Sequence, residues 1–99
     1  MPVVMQMHWP EVTRDQYDRA RDIVRWEDDH PKGAIFHVAY FTNDGFRVTD
    51  VWETAEDFQA FVDKRLMPAV QQVGIAGQPK TEITPAHRMF SPFMQPSVR

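Results

Sequence analysis

The stretch Phe46 to Phe61, FRVTDVWETAEDFQAF, changes its hydrophobic period midway, and that change decides the fold. Phe46, Val48, Asp50 and Trp52 alternate with Arg47, Thr49, Val51 and Glu53, the period of two that marks a strand. From Thr54 the period becomes helical, with Phe58, Phe61, Val62, Leu66, Ala69, Val70 and Val73 on one stripe. Thr54 and Asp57 make a capping-box-like start, Asp standing where Glu or Gln is usual. A strand therefore feeds directly into an amphipathic helix.

On the N-terminal side, Ala34 to Thr42 is rich in β-branched and aromatic residues and reads as a strand. Asn43-Asp44-Gly45 joins it to Phe46, and Asp44-Gly45 is expected to form a two-residue primed turn. Further back, Val3 to His8 fits a first strand that Pro10 and Glu11 break. Thr13 and Gln16 form a capping box, followed by a stripe of Tyr17, Ala20, Ile23, Val24 and Trp26. That helix is expected to end before His30-Pro31-Lys32-Gly33. On the C-terminal side, Pro68 either kinks the second helix or begins a separate short one running to Gly74. A last extended segment spans Lys80 to Arg88, and Met89 to Arg99 reads as an irregular arm.

The order β-α-β-β-α-β predicts an α+β, ferredoxin-like fold, a four-stranded antiparallel sheet with two helices on one face. Ninety-nine residues make one domain, 1–99, with 89–99 as its C-terminal arm. Two helices leave one sheet face uncovered. That face carries Phe36 or Phe41, Val38 or Ala39, and Val51 or Val48, whichever way the sheet turns. An exposed apolar face marks an interface, so a homodimer joined through it is expected.

A net charge of −3 gives no general attraction to nucleic acid. No apolar run approaches the ~18 residues of a membrane span, and the N-terminus lacks the basic start of a signal peptide. A cytoplasmic location is expected. Without cysteine there is no disulfide and no thiol chemistry. His8, His30, His37 and His87 show no metal-ligand spacing, and no phosphate loop or nucleophile elbow is present. Neither a metal nor a cofactor is expected.

With the two-residue turn at Asp44-Gly45, Ala39 falls opposite Asp50 and His37 opposite Trp52. His37, Asp50 and Trp52 then share a face with Ile35, Phe41 and Val48, and His37 lies diagonal to Asp50. A carboxylate so placed holds an imidazole in one tautomer and strengthens it as a general base. The competing reading is a buried polar pair that satisfies itself and fixes the core. Trp52 serves as a substrate platform or as a core aromatic. Tyr17, Trp26 and Phe58 are candidates to line a pocket between sheet and helices, and His87 is a candidate from the last strand or an interface residue.

The order of elements, the G-x-x-x-H of Gly33 to His37, the Asp44-Gly45 hairpin, and the runs VTDVWETAEDFQAF and RLMPAVQQVG resemble the dimeric α/β-barrel superfamily. The small antibiotic-biosynthesis-monooxygenase-like proteins are the group they resemble most, over roughly residues 3 to 88. The resemblance implies fold and dimer. For the reaction it implies a range: cofactor-independent quinone-forming monooxygenases, haem degraders, cyclases and proteins without known activity. Haem degraders of this superfamily place an Asn on the first strand and a His on the second helix. Here the first strand has no Asn and Ala55 to Val73 has no His.

Two functions follow. One is a cofactor-independent monooxygenase-like enzyme on a small aromatic or polyketide-type molecule, with His37 as base and Asp50 orienting it. The other is a non-catalytic or stress-associated dimer that binds a small apolar ligand or nothing. A pocket of ~300 Å³ or more reached by His37 favours the first, and a filled core favours the second.

Overall fold

The computed structural model describes residues 1–92. The part of the expected arm from residue 93 onward lies outside the described residues. Four strands, β1 (Val3–Trp9), β2 (Ala34–Thr42), β3 (Gly45–Trp52) and β4 (Lys80–Pro85), form one antiparallel sheet in the order β2-β3-β1-β4. Helix α1 (Arg14–Val24) and the helical run α2 (Ala55–Phe61) to α3 (Met67–Val73) supply the second layer. This is the ferredoxin-like α+β plan expected from the order of elements.

The alternation along the two central strands builds the core. Met5, Met7 and Trp9 of β1 and Phe46, Val48 and Trp52 of β3 point to the helices and are buried. Phe58, Phe61, Ala69 and Val70 come down from the opposite layer. Each such side chain, fully buried, contributes roughly 1.5–3 kcal/mol. On the other face Phe36, Val38 and Tyr40 remain 56%, 39% and 40% exposed. All six residues of the edge strand β4 are exposed.

The hairpin turns one residue earlier than expected. Thr42 pairs with Gly45 and Phe41 with Phe46, so the two-residue loop is Asn43-Asp44 and Gly45 opens β3. His37 therefore lies directly opposite Asp50, not diagonal to it, and Ala39 opposite Val48. Moving the turn by one residue shifts each pair by two, which preserves the faces. A register irregularity between Ala34 and Phe36 places Ala34 opposite Trp52, and Ala34, not Ile35, packs on the core. Asp44 ties the loop down by accepting from Arg47 Nη2 at 2.8 Å and from the Thr42 hydroxyl. These two hydrogen bonds hold the Asp44 carboxyl down at about 2. His8 is half-buried, with Nε2 2.8 Å from the Asp44 carbonyl oxygen.

Helix α1 has the full capping box: Gln16 N–H donates to Thr13 Oγ1, and Thr13 N–H to the Gln16 side chain. It ends five residues before His30, because Arg25 turns left-handed at φ 58 and donates its N–H to Arg21 O. Ile23 is consequently 38% exposed and Trp26 lies beyond the helix. Of the two expectations for Pro68, the second holds: it stands in the first turn of a separate short helix, α3, which Gly74 caps. A π-helical turn, Val62–Leu66, joins α2 to α3, with Met67 N–H reaching back to Val62 O. Proline has no N–H to give and its ring crowds the carbonyl four residues back, so the widened turn absorbs it.

Gly45 sits at φ 116, and a Cβ there would stand 2.6 Å from Pro10 Cα. Gly45→Ala is expected to destabilise the fold by about 1–3 kcal/mol. Urea unfolding measures it, and an unchanged midpoint would contradict this packing of hairpin against the β1–α1 corner.

Candidate functional site

The site grows from one buried acid. Asp50 occupies a core-facing position of β3 and is only 2% exposed. Its Oδ2 accepts from Trp52 Nε1 at 3.1 Å, and its Oδ1 lies 2.7 Å from His37 Nδ1. The other imidazole nitrogen, His37 Nε2, lies 2.8 Å from the Tyr17 hydroxyl. A chain of four residues thus runs Trp52–Asp50–His37–Tyr17, from the centre of the core outward. The Tyr17 and His37 ring planes lie within 8° of parallel with centroids 6.2 Å apart. That fits two rings meeting edge to edge through a hydrogen bond better than face-to-face stacking.

Aromatic packing fixes the chain in place. Trp26 packs 4.7 Å from His37 and meets both Trp52 and Phe61 edge-on. Tyr17 packs 5.3 Å from Phe46. Trp26 is positioned by the loop after α1, and Arg65, from the π-helical turn, clamps that loop. Its Nη2 donates to Val24 O at 2.6 Å and Asp29 O at 2.8 Å. Burial, then the negative charge of Glu27, pushes the Tyr17 phenol up from 10.0, so it stays protonated at neutral pH.

Between sheet and helices lies a cavity of about 100 Å³, lined by Tyr17, His37 and Asp50 among mostly apolar side chains. Met5, Met7, Phe46 and Phe61 form part of its walls. It meets the surface at Arg21 and Glu27, whose half-exposed side chains pair at 2.7 Å. The hydrogen bond from Arg21 holds the Glu27 carboxyl below its usual range.

The structure brings together His37, Asp50, Tyr17, Trp26 and Phe58 around this cavity. Trp52 is fully buried and lies outside the cavity lining, so it is a core aromatic that anchors Asp50 rather than a platform. His87 is exposed beyond the end of β4 and does not approach the cavity. The cavity falls short of the ~300 Å³ that favours the enzyme reading, yet the core is not filled. Sequence reasoning missed Arg21 and Glu27 at the mouth. Arg21 lies on the solvated side of α1 and Glu27 in the loop after it, and neither charge signals that the loop folds back to pair the two.

Neither a family model nor a curated protein matches this chain. Solved structures do. SnoaB, a cofactor-independent oxygenase from Streptomyces nogalater, aligns at 10% identity with a TM-score of 0.63, over 89% of this chain and 95% of its own. A candidate antibiotic biosynthesis monooxygenase from Nitrosomonas europaea aligns at 15% identity with a TM-score of 0.62, over 89% and 100%. A dimeric ferredoxin-like protein of unknown function from Thermobifida fusca aligns at 14% identity with a TM-score of 0.59, over 84% and 89%. The chain shares the ferredoxin-like fold of these proteins.

Replacing Asp50 by Asn leaves one acceptor where two buried donors need two. Asp50→Asn is expected to cost about 1–3 kcal/mol in urea unfolding. A loss below about 0.5 kcal/mol would show that His37 and Trp52 do not depend on the carboxylate.

Proposed function

We propose that this chain is a cofactor-independent, monooxygenase-like enzyme acting on a small aromatic molecule, with His37 as general base and Asp50 as the group that orients it. The observation that carries the reading is a three-membered Asp50–His37–Tyr17 chain opening on an otherwise apolar cavity. Asp50 holds Nδ1 and leaves Nε2 as the basic nitrogen, the arrangement in which a carboxylate fixes the working tautomer. The fold shared with a cofactor-independent oxygenase adds support.

The chemistry asks little of the protein beyond the base. Removal of an acidic O–H proton from a phenol gives an electron-rich anion. Its ring carbon passes an electron pair to dioxygen, forming a C–O bond and a hydroperoxide. Loss of water from that hydroperoxide leaves a quinone, one oxygen atom entering the product and the other leaving as water. The apolar walls exclude bulk water from the anion, which strengthens each electrostatic contact around it.

A second reading is a dimer that binds a small apolar ligand without turning it over, and the small cavity volume favours it. Oxygen uptake with a panel of small phenols separates the two. His37→Ala is expected to lower kcat by about 10²–10⁴-fold. Undiminished turnover in that variant removes the base assignment, and bound phenols recovered unchanged from the wild type favour the ligand binder.

The working unit we propose is a homodimer joined through the outer sheet face, where Phe36, Val38 and Tyr40 stand exposed in one row. The dimeric ferredoxin-like protein from Thermobifida fusca supports it. Phe36→Asp is expected to convert the dimer to a monomer in sedimentation. A wild-type chain that sediments as a monomer, or a variant that stays dimeric, would place the interface elsewhere.

A further inference from the structure

We propose that the cavity takes a single aromatic ring bearing an acidic hydroxyl, and that the Tyr17 hydroxyl, rather than the His37 ring, touches that group and relays its proton to His37 Nε2. The inference deepens the base reading above and rests on it.

Hydrogen-bond accounting fixes the direction of the chain. Trp52 Nε1 is a donor only, so Asp50 Oδ2 is an acceptor there. With Asp50 a carboxylate, Oδ1 accepts from the Nδ1–H of His37. A neutral imidazole protonated at Nδ1 offers a lone pair at Nε2, and the hydrogen available to it is that of the Tyr17 hydroxyl. Tyr17 therefore donates inward. What remains of its oxygen toward the cavity is lone pairs, which accept. The ligand that fits must donate, and it must be acidic enough to give its proton up. A phenol or enol meets both conditions, whereas a carboxylate has nothing to donate.

Because Tyr17 occupies Nε2, a substrate does not reach the base directly. As the ligand's proton moves onto the Tyr17 oxygen, the Tyr17 proton moves onto Nε2. The bound anion then accepts from the Tyr17 O–H, and an imidazolium lies between the Tyr17 oxygen and the Asp50 carboxylate. No bond other than the two O–H bonds is broken. Tyr17 never carries a negative charge, in keeping with a phenol whose burial resists ionisation.

Size sets the ring number. An apolar protein cavity of ~150 Å³ accommodates benzene. The cavity here is about 100 Å³, so one ring enters with modest displacement of its walls and a fused second ring does not. Substituents can lie toward the Arg21–Glu27 mouth.

Para-nitrophenol tests the proposal, because its anion is yellow and its neutral form is not. The wild type is expected to bind it and raise its acid ionisation constant by roughly tenfold or more. Tyr17→Phe, with its fold verified by circular dichroism, is expected to bind the ring and lose that gain. Nitrobenzene, the same ring without a donor, is expected to bind the wild type about tenfold more weakly, a comparison that needs no variant. A nitronaphthol is expected to bind at least about tenfold more weakly than para-nitrophenol. Full ionisation in Tyr17→Phe, equal binding of nitrobenzene, or equal binding of the nitronaphthol would overturn the proposal. So would a wild type that leaves the bound probe neutral. His37→Gln separates the two levels: loss of ionisation there with retention in Tyr17→Phe sinks the relay and keeps the base, whereas retention in His37→Gln sinks the base itself.

Discussion

The structure depends on one buried carboxylate. Asp50 sits between Val48 and Trp52 on the core face of a central strand, where an unpaired charge would be costly. Among the described residues two side chains satisfy it, the indole N–H two residues along the same strand and the imidazole directly across on β2. The first is local and comes with the strand. The second holds only in one pairing of β2 with β3. A slip by one residue would turn His37 to the outer face, and a slip by two would carry it one full repeat along the strand. The acid thus specifies register as well as polarity.

From that register the rest of the site follows by packing. With Trp52 held by its N–H, its ring offers an edge contact to Trp26 and a tilted one to Phe61. Trp26 in turn covers His37, so the imidazole is walled by a residue from the loop after α1. That loop has little regular structure of its own, and the Arg65 guanidinium holds it through two backbone carbonyls. Arg65 reaches them from the π-helical turn beside Pro68. A proline that an ordinary α-helix would exclude is therefore linked, through the widened turn, to the loop that closes the cavity.

Much of this was legible in the sequence, and the parts that were not share a cause. Period-two alternation placed His37 and Asp50 on one face, and a one-residue error in the turn left that intact. The turn itself was ambiguous because Asn43-Asp44-Gly45 offers two loops. The chosen one depends on Gly45 passing close over Pro10, a contact distant in sequence. Alternation also says which face a residue takes, not how deep it lies, so it left Trp52 as platform or core aromatic until its full burial decided for the core. The Tyr17–His37 bond needs the height and angle of α1 over the sheet. The helical stripe named Tyr17 as inward-facing and could go no further. The loop from Arg25 carries no period, and with it the mouth formed by Arg21 and Glu27 stayed out of reach.

A structural and a catalytic histidine differ in what the second nitrogen does. If His37 served only to satisfy Asp50, its Nδ1 would suffice, and Nε2 would be content with solvent. Instead Nε2 is directed to a tyrosine that lies on the cavity wall. A core-stabilising pair is thereby extended into a hydrogen-bonded chain that reaches the cavity wall. One end is closed, because both oxygens of Asp50 are occupied by protein donors. The other ends on an acceptor in an apolar space. In the relay we propose, the tyrosine is the end of this chain that meets what enters the cavity.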